Sequence, residues 1–168
     1  GADRMADVMH TASQIALALA DQEPPPSDRV PDADDLDRGA RELRRRYDPS
    51  HGGFGDAPKF PTPHHLFFLL REWRRTGDAE ALVMVEHPLR RMRLGGIFDH
   101  VGYGFHRYST DAAWRVPHFE KMLYDQALLA LAYTEAFQAT GKPFYAQVVG
   151  EIVEYAGRDL RHPDGAFF

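Results

Sequence analysis

Apolar positions along the chain fall into stripes of helical period, separated by short breaks of glycine and proline. Met5, Val8, Ala12, Ile15 and Leu19 recur at steps of three and four, which predicts a first helix with one apolar face. Glu23-Pro24-Pro25-Pro26-Ser27-Asp28 ends it, because consecutive prolines lack amide hydrogens and hold the chain extended. Leu36, Ala40, Leu43 and Tyr47 predict a second helix, stopped at Asp48-Pro49. Thr62-Pro63 opens a third, with Thr62 as N-cap and Leu66, Leu69, Leu70 and Trp73 as its buried face. Asp78 caps a fourth that runs to about Leu94 on Leu82, Val85, Leu89 and Met92, with a kink expected ahead of Pro88.

Beyond Gly95-Gly96 the pattern changes. Aromatic and β-branched residues flank the turn Val101-Gly102-Tyr103-Gly104, which predicts a β-hairpin over residues 97–109. A fifth helix is expected to start between Pro117 and Glu120 and to run to about Thr140. Met122, Leu123, Leu128, Leu131 and Phe137 make it apolar on more than one side, so it should be well buried. Pro143 opens a sixth on Phe144, Val148, Ile152, Tyr155 and Leu160. Gly52-Gly53-Phe54, Gly95-Gly96-Ile97 and Asp164-Gly165-Ala166-Phe167 each follow a helix, a weak repeat of helix–loop units. The fold class is therefore all-α: helical hairpins with one small β-hairpin and the functional loops at one end. Residues 1–33 form a linker helix and Pro-rich linker, and 34–168 form the helical domain.

Composition narrows the function. With 168 residues and 43% hydrophobic content the chain can bury a core. A net charge of -5 argues against a nucleic-acid partner, and no apolar run of about 18 residues predicts a membrane span. With no cysteine, disulfides, thiolate metal sites and thiol catalysis are excluded, and a cytoplasmic location is the default.

Candidate chemistry concentrates in residues 95–126. His100, His106 and His118 are candidate proton carriers. Lys59, Asp99, Arg107, Tyr108, Trp114, Glu120 and Asp125 are candidate substrate contacts, since aromatic platforms with a few fixed polar groups suit a small sugar-type ligand. Each has a plainer explanation. Glu120 and Asp125 suit the positive start of the fifth helix, and Lys121 with Asp125 makes an i,i+4 pair. Arg107 and Arg115 can bind loop carbonyls, and Trp114 and Tyr108 can pack the hairpin onto the helices. The three histidines with Glu120 match no strong zinc spacing, so neither a metal nor another cofactor is expected. A glycosidase would need two facing carboxylates, for which Asp56, Asp99, Glu120 and Asp125 are available.

The strings GGFGDAPKFP (52–61), RLGGIFDHVGYGFHRYSTD (93–111) and WRVPHFEKMLYDQALLALAY (114–133) resemble the YyaL-like, spermatogenesis-associated family of thioredoxin-domain proteins. That resemblance implies the first hairpins of an (α/α)6 toroid similar to N-acylglucosamine 2-epimerases and six-hairpin glycosidases. The first helix and the Pro-rich stretch would then be the linker after a thioredoxin-like domain. It implies an epimerase- or isomerase-like reaction in a longer protein, and self-association and inactivity of this partial barrel alone. The alternative is a non-catalytic scaffold. Tyr103 and Pro88 depart from the family pattern, standing where a glycine and a helix former are expected.

Overall fold

A computed structural model describes residues 2–21 and 28–168; the Pro-rich residues 22–27 lie outside the described part. The chain divides into two units, Gly1–Asp32 and Ala33–Phe168. The first contains α1 (Ala2–Asp21), whose Met5, Val8, Ile15 and Leu19 are exposed. The second contains α2 (Ala33–Arg46), α3 (Pro63–Thr76), α4 (Ala79–Leu94), β1 (Tyr108–Ser109), β2 (Pro117–His118), α5 (Leu123–Thr140) and α6 (Pro143–Asp159).

Two tight hairpins build the second unit. Between α3 and α4, Gly77 adopts φ 74° and donates its amide to Trp73 O, while the Asp78 side chain accepts from Glu80 N. Between α5 and α6, Gly141 does the same at φ 68° with Phe137 O. Glycine serves here because left-handed backbone costs it no Cβ clash. α3 packs on both α4 and α5, α5 on α6, and α2 on α3. Leu66 and Leu69, Met84, Val85, Leu89 and Met92, Leu129 and Tyr133, and Tyr145 and Val148 supply one core from four helices. The Tyr133 hydroxyl, buried there, donates to Leu89 O at 2.6 Å, which removes the penalty of an unpaired buried polar group. α4 continues through Pro88, which is buried.

Four sequence expectations change. The paired strands are displaced: β1 and β2 pair antiparallel as Tyr108↔His118 and Ser109↔Pro117, and within 97–109 there is a single bridge, Phe98↔Phe105. Pro117 and His118 are therefore strand, and α5 starts five residues after His118, with Met122 as N-cap. Tertiary pairing with Tyr108 and Ser109 overrides the local helix signal. Finally, α5 is buried on one side only. Leu129, Ala132 and Tyr133 are inside, whereas Tyr124, Leu128, Leu131 and Phe137 are exposed. Thr62 holds the N-cap position of α3 at φ 42°, but its hydroxyl makes no cap bond.

Candidate functional site

Because α3–α4 and α5–α6 are antiparallel hairpins with α3 against α5, the short turns lie at one end of the array. The long connections α2–α3 and α4–α5 lie at the other, and they are hydrogen-bonded together. Lys59 N donates to Ser109 O at 2.8 Å and Ser109 N to Lys59 O at 2.9 Å.

Beneath this bridge is a satisfied polar knot. Asp48 Oδ1 accepts the amides of Ser50 and His51 at 2.8 and 3.0 Å. Its Oδ2 takes the Lys59 ammonium at 2.5 Å, and Lys59 also reaches Gly52 O at 3.1 Å. Burial pushes the Asp48 carboxyl up, but Lys59 and the two amides outweigh it and hold the group well below the usual carboxylate range. The fully buried Lys59 lies 5.4 Å from the Trp114 ring, whose Nε1 donates to His51 O at 2.9 Å. Gly53 must be glycine: its φ is 84°, and a Cβ there would stand 2.7 Å from Trp114 Cζ2. Lys59 and Trp114, expected as substrate contacts, are thus closed off from any ligand. They fasten the two loops to each other.

Several other candidates are also engaged. Asp99 Oδ1 accepts the amides of Val101 and Gly102 at 2.9 and 2.8 Å, and Oδ2 takes Lys121 Nζ at 2.7 Å. The Lys121 bond, with those amides, depresses the Asp99 carboxyl. Lys121 therefore serves Asp99 rather than Asp125, because it precedes α5. His100 has both ring nitrogens occupied: Arg93 stands 3.3 Å from Nδ1 and Gly95 O 3.0 Å from Nε2. Tyr103 holds φ 63°, so the position expected to be glycine does adopt glycine-like backbone.

What remains forms a cluster at the start of α5. Arg107 Nη1 is 3.2 Å from Glu120 Oε2, and Arg107 N donates to Glu120 O at 2.8 Å. His118 Nδ1 is 3.7 Å from the same carboxylate oxygen. The His118 ring stacks on Tyr108 at 4.6 Å, and Tyr108 meets Phe60 at 4.7 Å. His106 is buried beside this group with its ring edge-on to Phe119 at 5.6 Å, and burial pushes its imidazole down. Asp125 lies in the first turn of α5; burial pushes its carboxyl up to about 6, against the pull of Arg107. Of the four carboxylates open to hydrolytic chemistry, Asp56 is exposed, Asp99 is bound by Lys121, and Glu120 is exposed and paired with Arg107, so no two facing carboxylates are free.

Two observations mark this end of the molecule. Buried side-chain atoms without a hydrogen-bond partner include Thr62 Oγ1, His65 Nδ1, His106 Nδ1, His118 Nδ1 and Asp125 Oδ2, all in the long loops or the helical turns that follow them. Such atoms are rare in proteins and mark functional or strained places. The non-glycine residues with positive φ among those described, Thr62, Tyr103 and Trp114, lie in the same segments. Among the described residues no three histidine or carboxylate groups converge to hold a metal ion.

Sequence reasoning missed Asp48, Asp111 and Gln126, which position the loops. Asp111 binds the amides of Ala113 and Val116, both at 2.6 Å, and Gln126 clamps both backbone groups of Phe105 at 2.7 and 2.8 Å. The Asp48-Pro49-Ser50 turn could have disclosed the first. Gln126, a polar residue in an apolar helical run, could have disclosed the last.

The helical hairpins match part of the (α/α)6 barrel fold found in cellobiose 2-epimerases. The cellobiose 2-epimerase of Spirochaeta thermophila superposes with a TM-score of 0.66 over 79% of this chain and 38% of that one, at 19% identity. The enzyme of Bacillus thermoamylovorans gives 0.67 over 80% and 39%, at 16% identity. At such identities the likeness concerns the fold. By sequence the chain is a homologue of the proteins named spermatogenesis-associated protein 20, as its three long motifs indicated. It is 49% identical over 156 residues to that of Homo sapiens and 53% over 132 residues to that of Mus musculus. The chain spans 19% and 17% of the length of these relatives. No family model matches it. No helix among the described residues is long and apolar enough to cross a membrane.

Proposed function

We propose that the loop end of the array binds a sugar-type small molecule and, in a longer protein, serves epimerase- or isomerase-like carbohydrate chemistry. The carrying observation is that His106 Nδ1 and His118 Nδ1 in the loop before α5, and Asp125 Oδ2 in its first turn, are buried without a partner, with His118 itself part of the Phe60–Tyr108–His118 stack. Stacked rings offer a face to sugar C–H groups, and free acceptors or donors offer partners to hydroxyls. His118 and His106 keep a free ring nitrogen for proton handling; Arg107, Glu120, Tyr108 and Asp125 orient hydroxyls. A cysteine-free chain suits a reducing cytoplasm, and the family resemblance supports a thioredoxin-like domain in the longer protein. Saturation-transfer NMR against a panel of monosaccharides and cellobiose tests the reading. Transfer to at least one sugar, lost in a Tyr108→Ala variant, is expected; no transfer to any sugar would remove it.

A second reading has its own support. Asp99–Lys121, Asp48–Lys59 and Arg93–Glu151 all spend charge within the protein, as a non-catalytic scaffold would. A closed pocket also needs opposing walls, so this chain alone is expected to leave sugar C2 configuration unchanged, read by NMR. The exposed Tyr124, Leu128 and Leu131 on α5 favour self-association. Light scattering over a concentration series should show a larger species that Leu131→Lys disperses.

A further inference from the structure

The short-turn end, remote from the long loops, carries an open cleft between the last turns of α3 and α5. Its volume of about 460 Å³ falls within the range of about 300–1,000 Å³ usual for small-molecule sites. Leu70, Ala139 and Trp73 give it an apolar lining. Two of its charges cancel. Arg71 holds Glu135 through both guanidinium nitrogens at 2.7 and 2.9 Å and gives a further bond to Phe67 O at 2.8 Å. The neighbouring Arg75 is shared between Asp37 and Glu72. Arg74, which lines the cleft between them in sequence, is exposed and has no side-chain partner among the described residues. Trp73 Nε1 and the Gln138 amide, also at the cleft, have none either. A cation in the last turn of a helix ordinarily answers the carbonyls that end there. Here those carbonyls have other donors. Gly77 N and Thr76 Oγ1 bind Trp73 O and Glu72 O, and Gly141 N and Thr140 Oγ1 bind Phe137 O and Ala136 O.

We propose that this cleft is a second binding site, separate from the loop end, and that it takes an aromatic monocarboxylate. With Arg71 and Glu135 cancelling, the lining carries one uncompensated positive charge, on Arg74. One charge matches a carboxylate better than a phosphate dianion, and the planar guanidinium fork accepts both carboxylate oxygens at once. Trp73 Nε1 and the Gln138 amide add neutral donors beside it. Leu70, Ala139 and the indole offer an apolar surface to a ring, which gains by leaving water. The unspent donors here open onto a cavity, so a ligand reaches them without any movement of the protein. The sealed polar atoms of the loop end lack that access.

Proton–nitrogen NMR of the two indole groups tests this on the chain itself, with indole-3-acetate and phenylacetate as probes and phenylacetamide and phenyl phosphate as controls. The Trp73 Nε1 resonance should move saturably with either acid. Trp114 Nε1, bonded to His51 O at 2.9 Å, should stay still. Phenylacetamide should bind about tenfold more weakly than phenylacetate, because it lacks the charge. Arg74→Ala should weaken both acids about tenfold or more, and Arg74→Lys should recover part of the loss, since a point charge replaces the fork. Arg74 is exposed and unpaired, so neither variant should lower the unfolding midpoint, and lost binding then reports the site rather than the fold. No saturable Trp73 shift overturns the inference. So does equal affinity for acid and amide, tighter binding of phenyl phosphate than of either acid, or unchanged affinity in Arg74→Ala.

Discussion

Two acidic residues of the long-loop end meet opposite fates. Asp48 lies under the bridge between the loops, with an ammonium and two amides on its oxygens. Asp125 lies a short way along the rim with a buried oxygen that nothing satisfies. The knot around Asp48 is a finished piece of structure, containing Lys59, Trp114 and the glycine that admits the indole. The rim is unfinished, and unfinished polar groups are where a ligand gains most. Burial does not separate the two, since the most deeply buried charge, Lys59, is the least available. What separates them is whether the hydrogen bonds close within the protein.

The largest expected effect breaks the finished half. Lys59→Met leaves Asp48 without its cation, and a buried pair broken on one side costs about 3–5 kcal/mol. Denaturant unfolding should show that loss, and the Tyr108 and His118 resonances should broaden, because the strand-to-loop bridge at Lys59 and Ser109 holds β1. A loss below about 1 kcal/mol would mean the knot is not what fastens the loops.

The next effect is in pH, and the two carboxyls have opposite signs. Asp48 and Asp99 are depressed in the folded chain, so their contribution is full above the unfolded value of 3.8 and is lost as pH falls further. Asp125 is raised to about 6, so its contribution is full below 3.8 and is lost as pH rises from there through about 6. The full shift is discounted for the half of the group that solvent screens, leaving about 1 kcal/mol. Asp125→Asn should therefore be about 1 kcal/mol more stable than the parent at pH 7.5 and no more stable at pH 4. Equal stability differences at both pH values would show that the Asp125 carboxyl is not raised.

Much of this molecule was legible before its structure. The breaks at Gly77, Gly95-Gly96 and Gly141 and the periodic stripes between them define the helices, because helix ends are governed by local backbone chemistry. The start of α5 was not legible. Pro117 and His118 look like a helix entrance until Tyr108 and Ser109 arrive beside them from another part of the chain. The one-sided burial of α5 was hidden too, since apolarity does not reveal which neighbours exist. The candidate site was legible as a region and not as an assignment. Residues 95–126 do hold the cluster, but the partner each charge takes is set by three-dimensional contacts. Lys59 and Trp114 look like ligand contacts in sequence and are fasteners; Asp125 looks like a helix-start charge and is the unsatisfied one.

The smallest effect on stability sharpens the contrast most. Arg107 and Glu120 form an ion pair with side chains 42% and 51% exposed. Such pairs add little, because water solvates both ends and salt screens what remains. Glu120→Gln should therefore leave the unfolding midpoint unchanged within error at pH 4, where Asp125 contributes equally in both chains, at low and high salt alike. Its effect should appear at the rim. Without Glu120 the guanidinium is released toward Asp125, whose carboxylate gains a partner, so the Asp125 midpoint should fall from about 6 toward the ordinary range. Carboxyl ¹³C titration of parent and variant reads that change. If Glu120→Gln lowers stability as much as Lys59→Met does, the rim is as structural as the knot, and the distinction between the two halves fails.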